Sequence, residues 1–173
     1  TYAPSATIFR VNRGWRRAGE NGFTLDLQTG RWGVGPRQAS ATRDNGYLIH
    51  GVQLFVRDTR NSLFLTPGEA IDELDLVALQ YALQRGIEAY SQIEEDELAS
   101  ELIGRERRIL LWEAAEGGAG VLKVLVSDPG VLAEVARLAL EICHFDPETG
   151  EDLRPPESPE ACARACYECL LSY

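Results

Sequence analysis

All four cysteines of this 173-residue chain fall in its last 31 residues, at Cys143, Cys162, Cys166 and Cys169. Four thiolates match tetrahedral Zn2+ in ligand number and softness, and the short Cys-x3-Cys-x2-Cys stretch can place three sulfurs around one ion. The fourth sulfur is then expected from the end of a helix closing at Cys143. Between Cys143 and Cys162 the chain is broken by Pro147, Pro155, Pro156 and Pro159. Such a segment does not order alone, and closing it is the physical task a structural metal performs. Parity also allows two disulfides, but no secretion signal accompanies them and one short cluster favours metal. A redox pair at Cys166 and Cys169 lacks a thioredoxin-like context, and an iron-sulfur cluster uses the same four thiolates. His144 stands next to Cys143 as an alternative ligand, and its plainer reading is a loop residue.

A second segment with chemical potential runs from Glu113 to Leu122, as EAAEGGAGVL. Glycines between a strand and a helix permit positive φ, and amides at a helix start face any anion placed there. Gly117, Gly118 and Gly120 are therefore candidates for anion binding. The segment is neither a Walker A loop nor a GxGxxG dinucleotide pattern. Glu113 and Glu116 put negative charge where a phosphate would sit, which favours a tight turn packing helix against sheet. With a divalent ion the same two carboxylates would define a nuclease or other phosphoryl-transfer site. A third segment holds Arg10, Arg13, Arg16 and Arg17 within eight residues around Trp15. Charge beside a stacking surface suits DNA, single-stranded above all, whereas the plainer reading is a solvated turn.

The elements that must position these residues divide in two. In the first 65 residues, β-branched and aromatic runs at 6–11, 23–28, 32–34, 47–56 and 62–65 alternate with turn signals, which predicts a small antiparallel unit with a hairpin through Thr29-Gly30. Beyond Pro67-Gly68 the period becomes helical: Leu76, Leu79, Leu83, Ile87 and Tyr90 form one stripe of a long helix over about 69–90. The acids Glu94 to Glu97 then open a shorter helix, Ile109 to Trp112 form a buried strand, and Val121 to Val126 a helix. Asp128-Pro129 caps a last helix whose buried face is Val131, Leu132, Val135, Leu138, Ala139 and Ile142, and which delivers Cys143. The remainder, 144–159, is expected to be a loose linker. The fold expected is α+β, with a β-rich part over 1–66 and a mostly helical part over 67–173 ending in the zinc site.

Composition narrows the function. Hydrophobic residues at 45% and charged ones at 25% exclude a disordered or collagen-like chain. The absence of any apolar run of about 20 residues, or of a signal segment at Thr1, argues for a cytoplasmic protein with no membrane partner. The chain has no Met and stops directly behind its cysteines, so it is read as an internal piece of a longer polypeptide. Net charge is −10, yet residues 1–60 carry nine Arg against four acids while 61–104 carry one Arg against ten. A basic face can meet phosphate, and the acidic middle meets solvent or a basic protein partner, the latter making the chain an interaction scaffold.

Leu111-Trp112-Glu113 leading into Glu116 to Leu122, then Cys143 and the terminal Cys162, Cys166, Cys169 and Leu170-Leu171-Ser172-Tyr173, resemble the MrfA-like zinc-binding domain. That domain stands at the C-terminal end of certain superfamily 2 DNA helicases and in the B subunit (DrmB) of the DISARM anti-phage system. The long helix and acidic stretch over 74–98 match its usual lead-in. Phe9 to Gly14 with Gly22-Phe23 is similar to DrmB in particular. The resemblance implies that Cys143, Cys162, Cys166 and Cys169 bind zinc. It also implies a module that is not itself an enzyme, contributing DNA contact or docking to a helicase subunit or to other domains of its own polypeptide. The family's polar Asn-Gln continuation after Ser-Tyr is missing here.

Overall fold

The computed structural model describes residues 1–14, 22–33, 47–104, 108–115, 117–153, 162, 165–166 and 169–170. They form β1 (Tyr2–Asn12), β2 (Phe23–Asp26), β3 (Trp32–Gly33), β4 (Leu48–Val52), β5 (Leu54–Leu65), α1 (Glu73–Ser91), β6 (Leu98–Ile103), β7 (Arg108–Glu113), α2 (Val121–Ser127) and α3 (Pro129–Ile142). One sheet has the order β1-β5-β7-β6 and the other β3-β2-β4. The fold is α+β, as the sequence predicts.

The chain forms two compact bodies, 7–58 and the combination of 1–6 with 59–173. The expected boundary at 66/67 does not coincide with either edge. Its physical reason lies in β5, whose residues Ser62 to Leu65 pair antiparallel with Trp112 to Ile109 of β7. Leu63 is thereby built into the core of the helix-containing body.

In the body formed by 7–58, β2 pairs with both neighbours, Leu25 opposite Trp32 on one side and Ile49 on the other. The hairpin turns where expected. Asp26 accepts the N–H groups of Gln28 (2.9 Å) and Thr29 (3.2 Å) on its carboxylate, and its carbonyl accepts Gly30 N–H at 2.8 Å.

In the larger body β7 is central, with Ile109, Leu110, Leu111 and Glu113 all buried. A strand covered on both faces reads as a continuous apolar run, which is why Ile109 to Trp112 lacks alternation. The core joins Leu63, Ile87, Leu98, Leu111, Leu122 and Val135, none more than 2% exposed. Each such burial contributes about 1.5–3 kcal/mol. Helix α1 starts at Glu73 because Asp72 caps it, its side chain accepting N–H from Leu74 and Asp75. Its second buried stripe is polar: Gln80 donates to Ser100 Oγ (2.8 Å) and Gln84 to the Leu98 carbonyl (3.0 Å), tying α1 to β6. Gly86 permits close approach to α3, since a Cβ there would lie 2.6 Å from the Val135 carbonyl oxygen.

Two expectations are corrected. Glu94 to Glu97 open no helix. Glu97 N–H closes back on the Glu94 carbonyl (3.1 Å) and the Glu97 carboxylate accepts Glu94 N–H, a tight turn that feeds β6. The segment after Cys143 is also more regular than a linker. Phe145 bridges Asp152, Leu153 N–H reaches the His144 carbonyl at 2.8 Å, and Asp146 accepts from Glu148 and Thr149 at the turn.

Candidate metal centre

Helix α3 presents the first donors. Asp128 accepts Gly130 N–H at 2.8 Å and Pro129 occupies the first turn, so the start is as expected. At the other end Cys143 is the C-cap, His144 takes the left-handed conformation (φ 68°), and the chain reverses. His144 N–H bonds the Glu141 carbonyl (3.0 Å) and Phe145 N–H that of Leu140 (2.9 Å). This is the Schellman arrangement, with histidine where glycine is usual. Positive φ in a non-glycine residue costs about 1–2 kcal/mol, which the surrounding hydrogen bonds must offset.

The reversal aims His144 at the thiols. Its Nε2 lies 3.2 Å from Cys166 Sγ, and Cys162 Sγ lies 3.6 Å from Cys169 Sγ. The ligand atoms of His144, Cys162, Cys166 and Cys169 all fall within 4.8 Å of one another. Cys143, expected as the fourth ligand, is not one of this set. At the C-cap of α3 (φ −79°, ψ 8°), it lines an apolar cavity of about 520 Å³ with Leu79, Leu83, Ala139 and Leu140, which Cys162 and Cys169 also border. Sequence spacing pointed to the sulfur because it completes four cysteines. The signal for His144 was its adjacency, which the helix end converts into direction.

The thiols differ in proton affinity. Burial, and then hydrogen bonds with Cys169 and Cys166, push Cys162 up to about 11. Burial also raises Cys143, with the charges of Cys169 and Cys166 adding to it. At Cys169 burial acts in the same sense but is outweighed by N–H donation from Cys166 and Leu170 and by the Cys162 thiol, so its value falls below the ordinary one. Cys166 N–H lies 3.0 Å from Cys169 Sγ. Cys169 therefore gives up its proton more readily than an ordinary thiol while Cys162 and Cys143 hold theirs more tightly, and metal uptake by such a set releases protons.

The glycine cluster is filled from within. Glu113, 2% exposed, accepts Leu122 N–H at 2.9 Å on Oε1, and Gly120 N–H (3.1 Å) and Asn61 Nδ2 (3.0 Å) on Oε2. The anion at the start of α2 is therefore the chain's own carboxylate, the tight-turn reading of the sequence. The Gly117 carbonyl accepts from Asn61, and Gly118 N–H is bonded to Ala115. Both Glu113 oxygens are engaged in holding this turn together, which favours a structural role for that carboxylate. Glu116 lies outside the described residues, as do Trp15, Arg16 and Arg17. Of the remaining arginines in that basic segment, Arg10 pairs with Asp58 at 3.0 Å and Arg13 is exposed at the end of β1.

Residues 79–170, more than half of the chain, match the family model of the MrfA Zn-binding domain. The chain belongs to the MrfA zinc-binding domain family. Among solved structures it is similar to the DUF1998 helicase MrfA bound to DNA, with a TM-score of 0.40 and 14% identity over 90% of this chain. The chain spans 23% of the length of that helicase. No curated protein matches it. Zinc is the cofactor of this MrfA-type domain, and the donors present suit it. With Zn–S bonds near 2.3 Å, tetrahedral geometry sets neighbouring sulfurs about 3.8 Å apart, close to the Cys162–Cys169 separation.

Proposed function

We propose that the chain is the non-catalytic zinc module of a DNA helicase or of a DISARM-like anti-phage assembly, contributing DNA contact or subunit docking. The observation that carries this reading is the convergence of His144, Cys162, Cys166 and Cys169 behind α3, which suits a closed structural site. Three ligands come from the cysteines at 162, 166 and 169, and the fourth from the helix-end pair Cys143-His144, of which His144 has its Nε2 3.2 Å from Cys166 Sγ. The zinc links the end of α3 to the terminal segment. In this reading ATP hydrolysis belongs to another domain or subunit. Support for the DISARM assembly comes from the Phe9 to Gly14 and Gly22-Phe23 stretches, and free thiols accord with a cytoplasmic setting.

Support for DNA contact comes from charge. Residues 7–58, which make up the smaller body, hold eight Arg against four acids in a chain of net charge −10. Metal analysis of the freshly purified chain is expected to give one zinc. Anisotropy titration of a labelled 20-nucleotide strand and its duplex at low salt is expected to show binding that weakens steeply with salt. Iron with a visible band would overturn the zinc module, and no affinity for either DNA at any salt would leave docking as its role.

A further inference from the structure

On the smaller body the aromatic rings of Phe9 in β1 and Phe55 in β5 lie 5.9 Å apart, tilted at 50°, although the residues are 57% and 63% exposed. Their contact puts both on one face of the ribbon. Strand alternation adds Val11 (44% exposed) and Arg57 to that face, each two residues along, and sends Arg10 and its partner Asp58 to the other. The strand segments 7–12 and 54–58 contain one carboxylate, Asp58, so among the described residues these two strands put none on the aromatic face. Two exposed aromatic rings ordinarily bury themselves in a soluble protein, and a pair left open beside a cation asks for a planar partner.

We propose that Phe9 and Phe55 are a stacking platform for the bases of single-stranded nucleic acid, with Arg57 meeting the adjacent phosphate. This deepens the DNA-contact reading above, and rests on it. Every base has a π-face, so such a platform is tolerant of sequence, and a duplex offers it none of its stacked bases. The occupant is argued from charge. The body that bears the platform is net basic while the rest of the chain is strongly acidic, which would hold a strand to this part of the molecule. The platform is proposed without the residues expected around Trp15. It uses neither that residue nor Arg10, whose guanidinium is occupied by Asp58.

The test is anisotropy titration of the full zinc-loaded chain with labelled oligo(dT) 20-mer and with a duplex of equal length. Phe9→Leu and Phe55→Leu keep apolar bulk but abolish stacking, whereas Phe55→Tyr keeps it. The double Leu variant should lose about 5- to 100-fold in affinity for the single strand, on the scale measured for one or two stacked bases, with its salt slope unchanged. Phe55→Tyr should bind like the parent, and Arg57→Gln should flatten the slope by about 0.7. Because both rings are more than half exposed, all variants should melt like the parent. If the parent binds and the double Leu variant binds equally, the platform is wrong while DNA contact stands. If the parent binds no nucleic acid, both fall. If the double variant instead loses a defined protein subunit and keeps its DNA affinity, the face is a docking surface and the proposal is overturned.

Discussion

Gly118 faces Glu113 so closely that a Cβ added to the glycine would lie 1.6 Å from Glu113 Oε2. With φ at +65°, Gly118 also occupies the left-handed region, so a side chain is excluded twice. Gly118→Ala should strain the backbone by about 1–2 kcal/mol and dislodge the carboxylate that holds Gly120 and Leu122. Thermal melting should fall by about 4 °C or more, at roughly 2–4 °C for each kcal/mol in a chain of this size. Gly117→Ala, at the same sign of φ but with open space around its Cβ, should cost less. Equal losses for the two would show that Glu113 is not what Gly118 makes room for.

Glu113→Gln tests the other half of that contact. Two backbone N–H groups and the Asn61 amide converge on its oxygens, and a glutamine must turn one NH2 toward a donor. The loss should be about 1–3 kcal/mol, read by chemical denaturation, with no accompanying loss of zinc. A variant as stable as the parent would mean that the start of α2 does not need its internal anion.

Gly86→Ala sets helix propensity against packing. Alanine favours a helix interior by about 1 kcal/mol. The new methyl would meet the Val135 carbonyl oxygen at 2.6 Å and the Ala139 side chain at 3.0 Å, so α1 and α3 must separate. We expect net destabilisation, with looser packing around Cys143 at the end of α3. A higher melting temperature in Gly86→Ala would show that the helices are free to move apart.

How far the sequence disclosed this architecture depends on the range of the forces involved. The cap at Asp128, the turn at Asp26 to Gly30 and the buried run Ile109 to Trp112 are set by neighbours a few residues away, and all three form as expected. After Glu94 the acids suggest a helix start, yet the chain turns into a strand, because the pairing of Leu98 to Ile103 with β7 is a tertiary contact that composition does not encode. The same holds at the site. Spacing announces Cys162, Cys166 and Cys169. That His144 turns toward them depends on its left-handed conformation at the helix end, where glycine is the usual residue. The internal occupant of the glycine loop needed Asn61 as well, 52 residues from Glu113.

Glu88 supplies a pH test. Burial raises its carboxyl above the ordinary 4.5, against the opposing hydrogen bond from Gln84 and the charge of Arg85. Below 4.5 the group is protonated in both folded and unfolded chains and contributes nothing to the difference. The cost of ionising it in the fold grows above 4.5 and is complete once pH exceeds the raised folded value. Glu88→Gln removes that cost, can still accept from Gln84, and leaves Arg85 its stronger partner Glu95. Melting of the variant relative to the parent should therefore improve from pH 4 to pH 7. A difference that runs the other way would show that the pair with Arg85 outweighs burial.

The helix-end donor is the sharpest question for the zinc site, because Cys143 and His144 compete for one position. His144 Nε2 stands 3.2 Å from Cys166 Sγ, while Cys143 remains on the helical side of the turn. His144→Ala should therefore lower zinc affinity by more than the roughly 10- to 100-fold typical of groups that only support a ligand, and Cys143→Ala by less. Competition against a chromophoric chelator measures both. Cobalt substitution gives an independent readout, since a site of three sulfurs and one nitrogen absorbs differently from one of four sulfurs. Zinc uptake by the metal-free chain should also release protons at neutral pH, because Cys162 alone holds its proton to about 11. Should Cys143→Ala empty the site and leave a cobalt spectrum of four sulfurs in His144→Ala, metal binding must rotate the end of α3, and the arrangement expected from cysteine spacing is the loaded one.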